Sequence, residues 1–192
     1  MSERVKIILD KNADILRLPA IALRGLVVFP GNIIHFEVGR KKSIAAIEWA
    51  MSNNNAVFLT AQQDMDVEDP GFKDLYAYGV VAEVKQVLRV SDELVKVLVE
   101  GKYRAKLLTL DSSGRFLLAS TKAAALRGTK SVDSARVEAL VRSVKEAFEE
   151  YLSLNPRLSK DVVYTIITNE DAALLCDYIP ANLLLKYTDK QA

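Results

Sequence analysis

Few residues in this chain have the type and spacing that catalysis requires. It has one histidine, His35, and one cysteine, Cys176, whereas a zinc site takes several such ligands. A serine nucleophile needs a partnering base, and no serine stands three residues before a lysine. Gly128-Thr129-Lys130-Ser131 has the composition of a phosphate-binding loop without its spacing, and the dinucleotide-binding glycine pattern is absent. The sequence therefore predicts neither a nucleotide site nor a catalytic nucleophile.

The remaining candidates for chemistry have ordinary structural interpretations. His35 falls in a predicted strand, Ile33 to Val38, where it shares the solvent side with Glu37. Cys176 lies among leucines and is predicted to be a buried helix residue. The acidic run of Asp64, Asp66, Glu68 and Asp69 could be considered a calcium site, which needs six or more oxygen ligands. We interpret this run as a solvated loop. No metal or cofactor is expected in this chain.

Composition sets the broad class. The 192 residues are 50% hydrophobic and 27% charged, with a formal net charge of +1, so no overall field attracts nucleic acid or anionic lipid. The N-terminal residues carry charges within their short apolar run, which is unlike a signal peptide. No apolar stretch approaches the length that spans a bilayer. We expect a cytoplasmic protein.

The first part of the chain has the pattern of strands and turns. Val80 to Val90 and Val95 to Val99 alternate apolar and polar residues across a polar break, which predicts a hairpin. Tyr103 to Leu110 and Arg115 to Thr121 predict a second pair of strands. One helix interrupts them at Ser43 to Met51, where Ile44, Ile47 and Met51 recur at helical spacing. The sequence predicts a mostly antiparallel barrel or curled sheet with one helix.

The second part of the chain has a helical period. An apolar stripe from Val137 to Leu152 predicts a helix that Asn155-Pro156 ends. Ser159 is the expected N-cap of the next helix. A short helix follows from about Glu170 to Leu175, and Pro180 is expected to break or restart it. The α+β chain therefore divides into a β domain, 1–125, and a helical subdomain, 126–192, which we interpret as cut before its natural end.

Ordered sequence blocks along nearly the whole chain, from Ile15 to Gln191, resemble the N-terminal domain of the ATP-dependent Lon proteases. The blocks are LPAIALRGLVVFPG, VGRKKS, LTAQ, DPGFKDLYAYGVVAEV, VKVLVEG, EEYLSLNPRLS and DAALLCDYIPANLLLKYTDKQ. The resemblance implies a PUA-like barrel followed by a helical bundle. It departs from the family at position 35, a histidine where proline is frequent, and at position 41, a lysine where an acidic residue is usual.

The function that the resemblance implies is non-catalytic. The ATPase module, with its ATP and magnesium, and the serine-lysine protease would lie downstream, while this module would recognise unfolded or degron-bearing proteins and support assembly of a hexamer. An alternative is a stand-alone PUA-like nucleic-acid binder using Arg40, Lys41, Lys42, Lys85 and Arg89, although no aromatic residues are interleaved with these charges. A third possibility is a pocket for a small molecule or a degron ligand.

Two groups of residues are the candidate contacts to substrate or to another subunit. Arg40, Lys41 and Lys42 are expected to form an exposed basic corner, or a merely solvated turn with Ser43 as helix cap. Trp49, the only tryptophan, and Ala45 are expected to form a small apolar patch on the outer side of the helix. The alternative for Trp49 is burial under the N-terminal residues or the helical half.

Overall fold

A computed structural model describes residues 15–91, 93–124, 134–155 and 158–191. The chain folds into two compact units, Met1–Ala125 with Lys186–Ala192 and Leu126–Leu185. The first contains β1 Leu16–Leu23, β2 Ile33–Val38, α1 Lys41–Asn53, β3 Ala56–Ala61, a 3-10 turn Phe72–Asp74, β4 Tyr78–Arg89, β5 Val95–Asp111, β6 Leu117–Ala123 and α5 Tyr187–Gln191. The second contains α2 Ser134–Leu154, α3 Lys160–Thr168 and α4 Ala172–Asn182.

The six strands form one curled sheet in the order β2-β5-β4-β3-β1-β6, and β6 also pairs with β5. Every pairing is antiparallel except that of β1 with β3. Five strands therefore close on one another, while β2 lies beside the first part of β5. The predicted mostly antiparallel curled sheet with one helix is confirmed, and the ring of strands is not a regular barrel.

The fifth strand is longer than the sequence pattern predicted. The pattern gave two strands, Val95 to Val99 and Tyr103 to Leu110, but β5 runs through Gly101 without a break. A Cβ atom at Gly101 would lie 2.3 Å from the carbonyl oxygen of Phe29. Glycine is therefore needed here for the close approach of another backbone segment, and not for a turn.

The helix α1 packs a face of small side chains against the sheet. Its buried residues include Ser43, Ala46, Ile47 and Ala50, which follow the spacing of one helical face. Met51, which the helical spacing groups with Ile44 and Ile47, lies outside the packed face, because it is 44% exposed. Serine and alanine let the helix backbone approach the sheet closely, and apolar spacing alone did not reveal this.

The helical unit is centred on three buried side chains, Phe148, Ile166 and Leu175. Ser159 caps α3 as predicted, since its side chain accepts a hydrogen bond from the N–H of Val162. The prediction that the next helix ends near Leu175 is wrong: α4 continues through Pro180 to Asn182. Pro180 lacks the N–H that would donate to the preceding turn, and the helix ends two residues after it.

The residues at the end of the chain group with the sheet. The hydroxyl of Tyr187 donates to the carbonyl of Gln63 at 3.0 Å, and the side-chain amide of Gln191 donates to the carbonyl of Tyr78 at 3.1 Å. The sequence had assigned these residues to the helical subdomain. None of the helices in the described ranges is long and apolar enough to cross a membrane.

Candidate functional site

Arg40 stands between β2 and α1 and is half-buried. Its guanidinium donates to the carbonyls of Ala22 at 3.3 Å and Val67 at 3.2 Å, and to the side-chain oxygen of Gln62. Burial and the nearby Arg24 lower the pKa of Arg40, while Asp69 and Glu68 act in the opposite direction. The prediction that Arg40 belongs to an exposed corner is wrong, because its side chain is half-buried and its donors bind neighbouring backbone and side-chain oxygens.

Gln62 is the polar centre of this cluster. Its side chain is fully buried at the end of β3, and its amide nitrogen donates to the carbonyls of Asp64 at 2.9 Å and Val67 at 3.0 Å. Arg40 and Gln62 together fix the loop after β3. The sequence analysis missed Gln62, although a glutamine directly after six residues of buried strand was a visible signal.

The two lysines of the corner differ in their contacts. Lys41 is exposed. The ammonium of Lys42 lies 2.9 Å from the carboxylate of Asp69 and donates to the carbonyl of Ser112 at 3.4 Å. The acidic loop is exposed at 64–66 and 68–69, as predicted, and the described residues hold no cluster of metal-ligating side chains.

The connection between β5 and β6, residues 112–116, contacts the outer side of α1. The ring centroid of Phe116 lies 5.7 Å from that of Trp49, and the guanidinium of Arg115 lies 3.1 Å from the carboxylate of Glu48. Trp49 is 38% exposed, whereas Ala45 is buried. The predicted Trp49–Ala45 patch is therefore wrong in its composition, since Ala45 is not at the surface.

The other basic residues considered for nucleic-acid contact are paired with acids. Arg89 lies 2.8 Å from the carboxylate of Glu48. On the strand surface, two lysines and two glutamates alternate in a square with nitrogen–oxygen distances of 2.7–3.0 Å: Glu83, Lys85, Glu100 and Lys102. Cations neutralised in this way are poor phosphate ligands, so the geometry gives no support to the nucleic-acid alternative.

The same square shifts all four pKa values toward the charged forms. Hydrogen bonds from Lys85 and then Lys102 lower the pKa of Glu83, and those from Lys102 and then Lys85 lower the pKa of Glu100. Hydrogen bonds to Glu100 and then Glu83 raise the pKa of Lys85. The hydrogen bond to Glu100 is the main cause that raises the pKa of Lys102.

A pocket of about 310 Å³ opens beside Arg40. One side of the pocket is formed by the last residues of β1 and the segment that follows, and the other side by the last residues of β2. The apolar residues of its lining include Ile21, Leu23, Leu26 and Phe36. Sequence spacing did not indicate this pocket, because β1 and β2 are not hydrogen-bonded neighbours. The pocket combines the hydrogen-bond donors of Arg40 with an apolar lining, and its lining residues include no nucleophile with a partnering base.

Two other residues can be placed. His35 is exposed on β2 together with Glu37, as predicted. Cys176 is exposed on α4, so the prediction that it is buried is wrong. Its neighbour in sequence, Leu175, takes the buried position of that turn.

Comparison with known proteins defines the class. A family model described as the ATP-dependent protease La (LON) substrate-binding domain matches residues 17–192. The Lon protease of Desulforamulus reducens is 38% identical over 180 residues, which are 94% of this chain and 22% of that protein. The Lon protease of Escherichia coli K12 is 36% identical over 182 residues, 95% of this chain and 23% of that protein.

A solved structure agrees in fold. The N-terminal domain of the Mycobacterium avium complex Lon protease superimposes with a TM-score of 0.70 at 19% identity, covering 92% of this chain and 88% of that one. The fold is therefore that of Lon N-terminal domains. The chain belongs to the Lon substrate-binding domain family, which confirms the resemblance found in the sequence. It spans less than a quarter of the length of either Lon protease.

Proposed function

We propose that this chain captures unfolded or degron-bearing protein segments for an ATP-dependent serine protease of the Lon type and supports assembly of its hexamer. The observation that carries this proposal is the family match over residues 17–192. ATP hydrolysis with magnesium and peptide-bond cleavage belong, in this proposal, to other modules of the parent protein. We place its action in the cytoplasm, on the sequence grounds given above.

The surface of the β unit suits a binding role. Several large apolar side chains of this unit are 45–65% exposed: Ile33, Met65, Phe72, Tyr78, Leu88 and Val90. An unfolded chain differs from a native one mainly in the apolar groups and unpaired backbone that it presents. A module that selects unfolded segments needs accessible groups of both kinds.

Direct binding tests the capture function. The probe is fluorescein-labelled α-lactalbumin, reduced and carboxymethylated so that it stays unfolded, and fluorescence anisotropy follows its titration with the purified chain. We expect saturable binding that persists at about 150 mM salt, where purely ionic contacts weaken. Native α-lactalbumin and a labelled single-stranded RNA are the matched controls. Equal binding of the native protein, or preference for the RNA, would contradict the proposal.

Assembly is tested separately on the parent protease. Removal of the segment corresponding to this chain is expected to shift the sedimentation coefficient of the parent from that of a hexamer to smaller species. An unchanged hexamer would remove assembly from the proposal and leave capture standing.

A further inference from the structure

Among the strands that the structure describes, none pairs with one of the two edges of β2. In the antiparallel pairing of β2 with β5, the register places Ile34 opposite Val99 and His35 opposite Leu98. Opposed residues in such a pairing alternate between hydrogen-bonded and non-hydrogen-bonded pairs. The direction of each backbone N–H and C=O of β2 therefore follows from one fixed pair.

Two hydrogen bonds determine that alternation. The N–H of Gly101 donates to the carbonyl of Asn32 at 2.9 Å, so the backbone carbonyl of residue 32 points toward β5. By the alternation, the backbone groups of residues 34, 36 and 38 also point toward β5. The N–H of Val84 donates to the carbonyl of Asn55 at 2.7 Å, so the backbone groups of Val84 point away from β5. Those of its opposed residue Val99 therefore point toward β2. This agrees with the first bond, because Val99 is opposite residue 34.

The backbone groups of Ile33, His35 and Glu37 consequently point away from the sheet. Across the described part of the chain, no strand pairs with this side of β2, and no hydrogen bond reaches the backbone of these three residues. Several of the usual protections of an edge strand are missing: β2 contains no lysine, no proline and no shift in its register with β5, and its one charged residue is Glu37. Ile33 adds a side chain that is 65% exposed.

The apolar pocket adjoins the end of this edge. Phe36, Glu37, Val38 and Gly39 line one side of it. A volume of about 310 Å³ is at the small end of ligand-binding cavities and suits one large side chain. A row of unpaired backbone donors and acceptors beside a side-chain pocket is the arrangement by which sheets bind extended peptides: the edge supplies affinity, and the pocket supplies selectivity.

We propose that the free edge of β2, at Ile33, His35 and Glu37, binds an extended segment of an unfolded protein as an added strand, with one large apolar side chain of that segment in the adjoining pocket. An extended polypeptide is the ligand whose N–H and C=O groups repeat at the spacing of this edge. This inference rests on the proposed capture function and names a site for it in this chain, whose histidine at position 35 stands where proline is frequent in the family. A folded protein offers few such segments, since its backbone groups are already paired.

The substitution His35→Pro tests the edge. The N–H of His35 points away from β5, so proline removes no hydrogen bond of the existing sheet, yet its ring blocks the edge. We expect affinity for the carboxymethylated α-lactalbumin probe to fall about tenfold or more, which is the loss of one or two hydrogen bonds. The matched control His35→Thr changes the side chain and keeps the N–H, and its affinity should stay within about twofold of wild type. Equal loss in both variants, or in neither, would overturn the proposal.

Hydrogen exchange of the wild-type chain tests the edge independently of whether the proline variant folds. Saturation with the probe should slow the exchange of the amides of Ile33, His35 and Glu37 several-fold, and leave those of Ile34 and Phe36, which are already bonded within the sheet, nearly unchanged. Unaltered exchange at the three outward amides would refute the added strand.

The outcomes separate this proposal from the wider function. If the chain binds no unfolded probe, both fail. If it binds the probe but His35→Pro binds equally well, capture stands and the edge is the wrong site. Sedimentation equilibrium tests the alternative that a second copy of the chain pairs with the edge. If the wild-type chain is a dimer, and His35→Pro dissociates it without changing the affinity for the probe, the edge belongs to that dimer and not to substrate.

Discussion

Arg40 is the residue whose replacement should most clearly separate a structural role from a surface role. In Arg40→Ala three hydrogen bonds disappear, and the side-chain oxygen of Gln62, a fully buried residue, loses its donor. An unsatisfied buried polar group costs about 1–3 kcal/mol, and a hydrogen bond from a charged donor contributes about 1.5–3 kcal/mol. Because Arg40 is only half-buried, water recovers part of this, and we expect the free energy of unfolding to fall by about 2–4 kcal/mol. Lys41→Ala, at an exposed neighbour, should change it by less than about 0.5 kcal/mol.

The assay is urea unfolding followed by the emission of Trp49. Since it is the only tryptophan and lies in α1, its signal reports the β unit and not the helical unit. A double-mutant cycle with Gln62→Ala should give a coupling energy above about 1 kcal/mol. If Arg40→Ala unfolds at the same urea concentration as Lys41→Ala, the cluster does not stabilise the fold, and the exposed basic corner predicted from the sequence would be the better description.

Three further predictions concern the same unit. The lowered pKa values of Glu83 and Glu100 mean that their stabilising contribution is present above the ordinary value of 4.5 and is lost as pH falls through the lowered values. Replacing both with glutamine should therefore flatten the decline of the urea midpoint below pH 4.5. An unchanged decline would refute the square. Gly101→Ala should lower the free energy of unfolding by more than about 2 kcal/mol, because its Cβ would meet a backbone carbonyl at 2.3 Å; wild-type thermal stability would contradict that contact. Phe116→Ala should red-shift the emission of Trp49 and increase its quenching by iodide, and identical spectra would show that the two rings are not in contact.

The sequence was sufficient where a local pattern decides the structure. Alternation over Val80 to Val90 and Val95 to Val99 predicted the β4–β5 hairpin, because one face of each strand must be buried. Ser159 was recognisable as a cap because a serine before an amphipathic run can accept the helix's free N–H groups. The ordered blocks were sufficient for the family.

Only the tertiary structure decided which of the candidate residues share a surface. Lys42 binds Asp69, 27 residues further along the chain, and Arg40 binds Gln62, 22 residues further along. Sequence periodicity carries no information about contacts between residues so far apart in the chain. On α1 the burial of Ala45 and the exposure of Met51 were misjudged, because the small residues and not the apolar spacing decide which side of the helix packs against the sheet. The free edge of β2 depends on strand order and hydrogen-bond direction, which are set by long-range pairing and not by residue type.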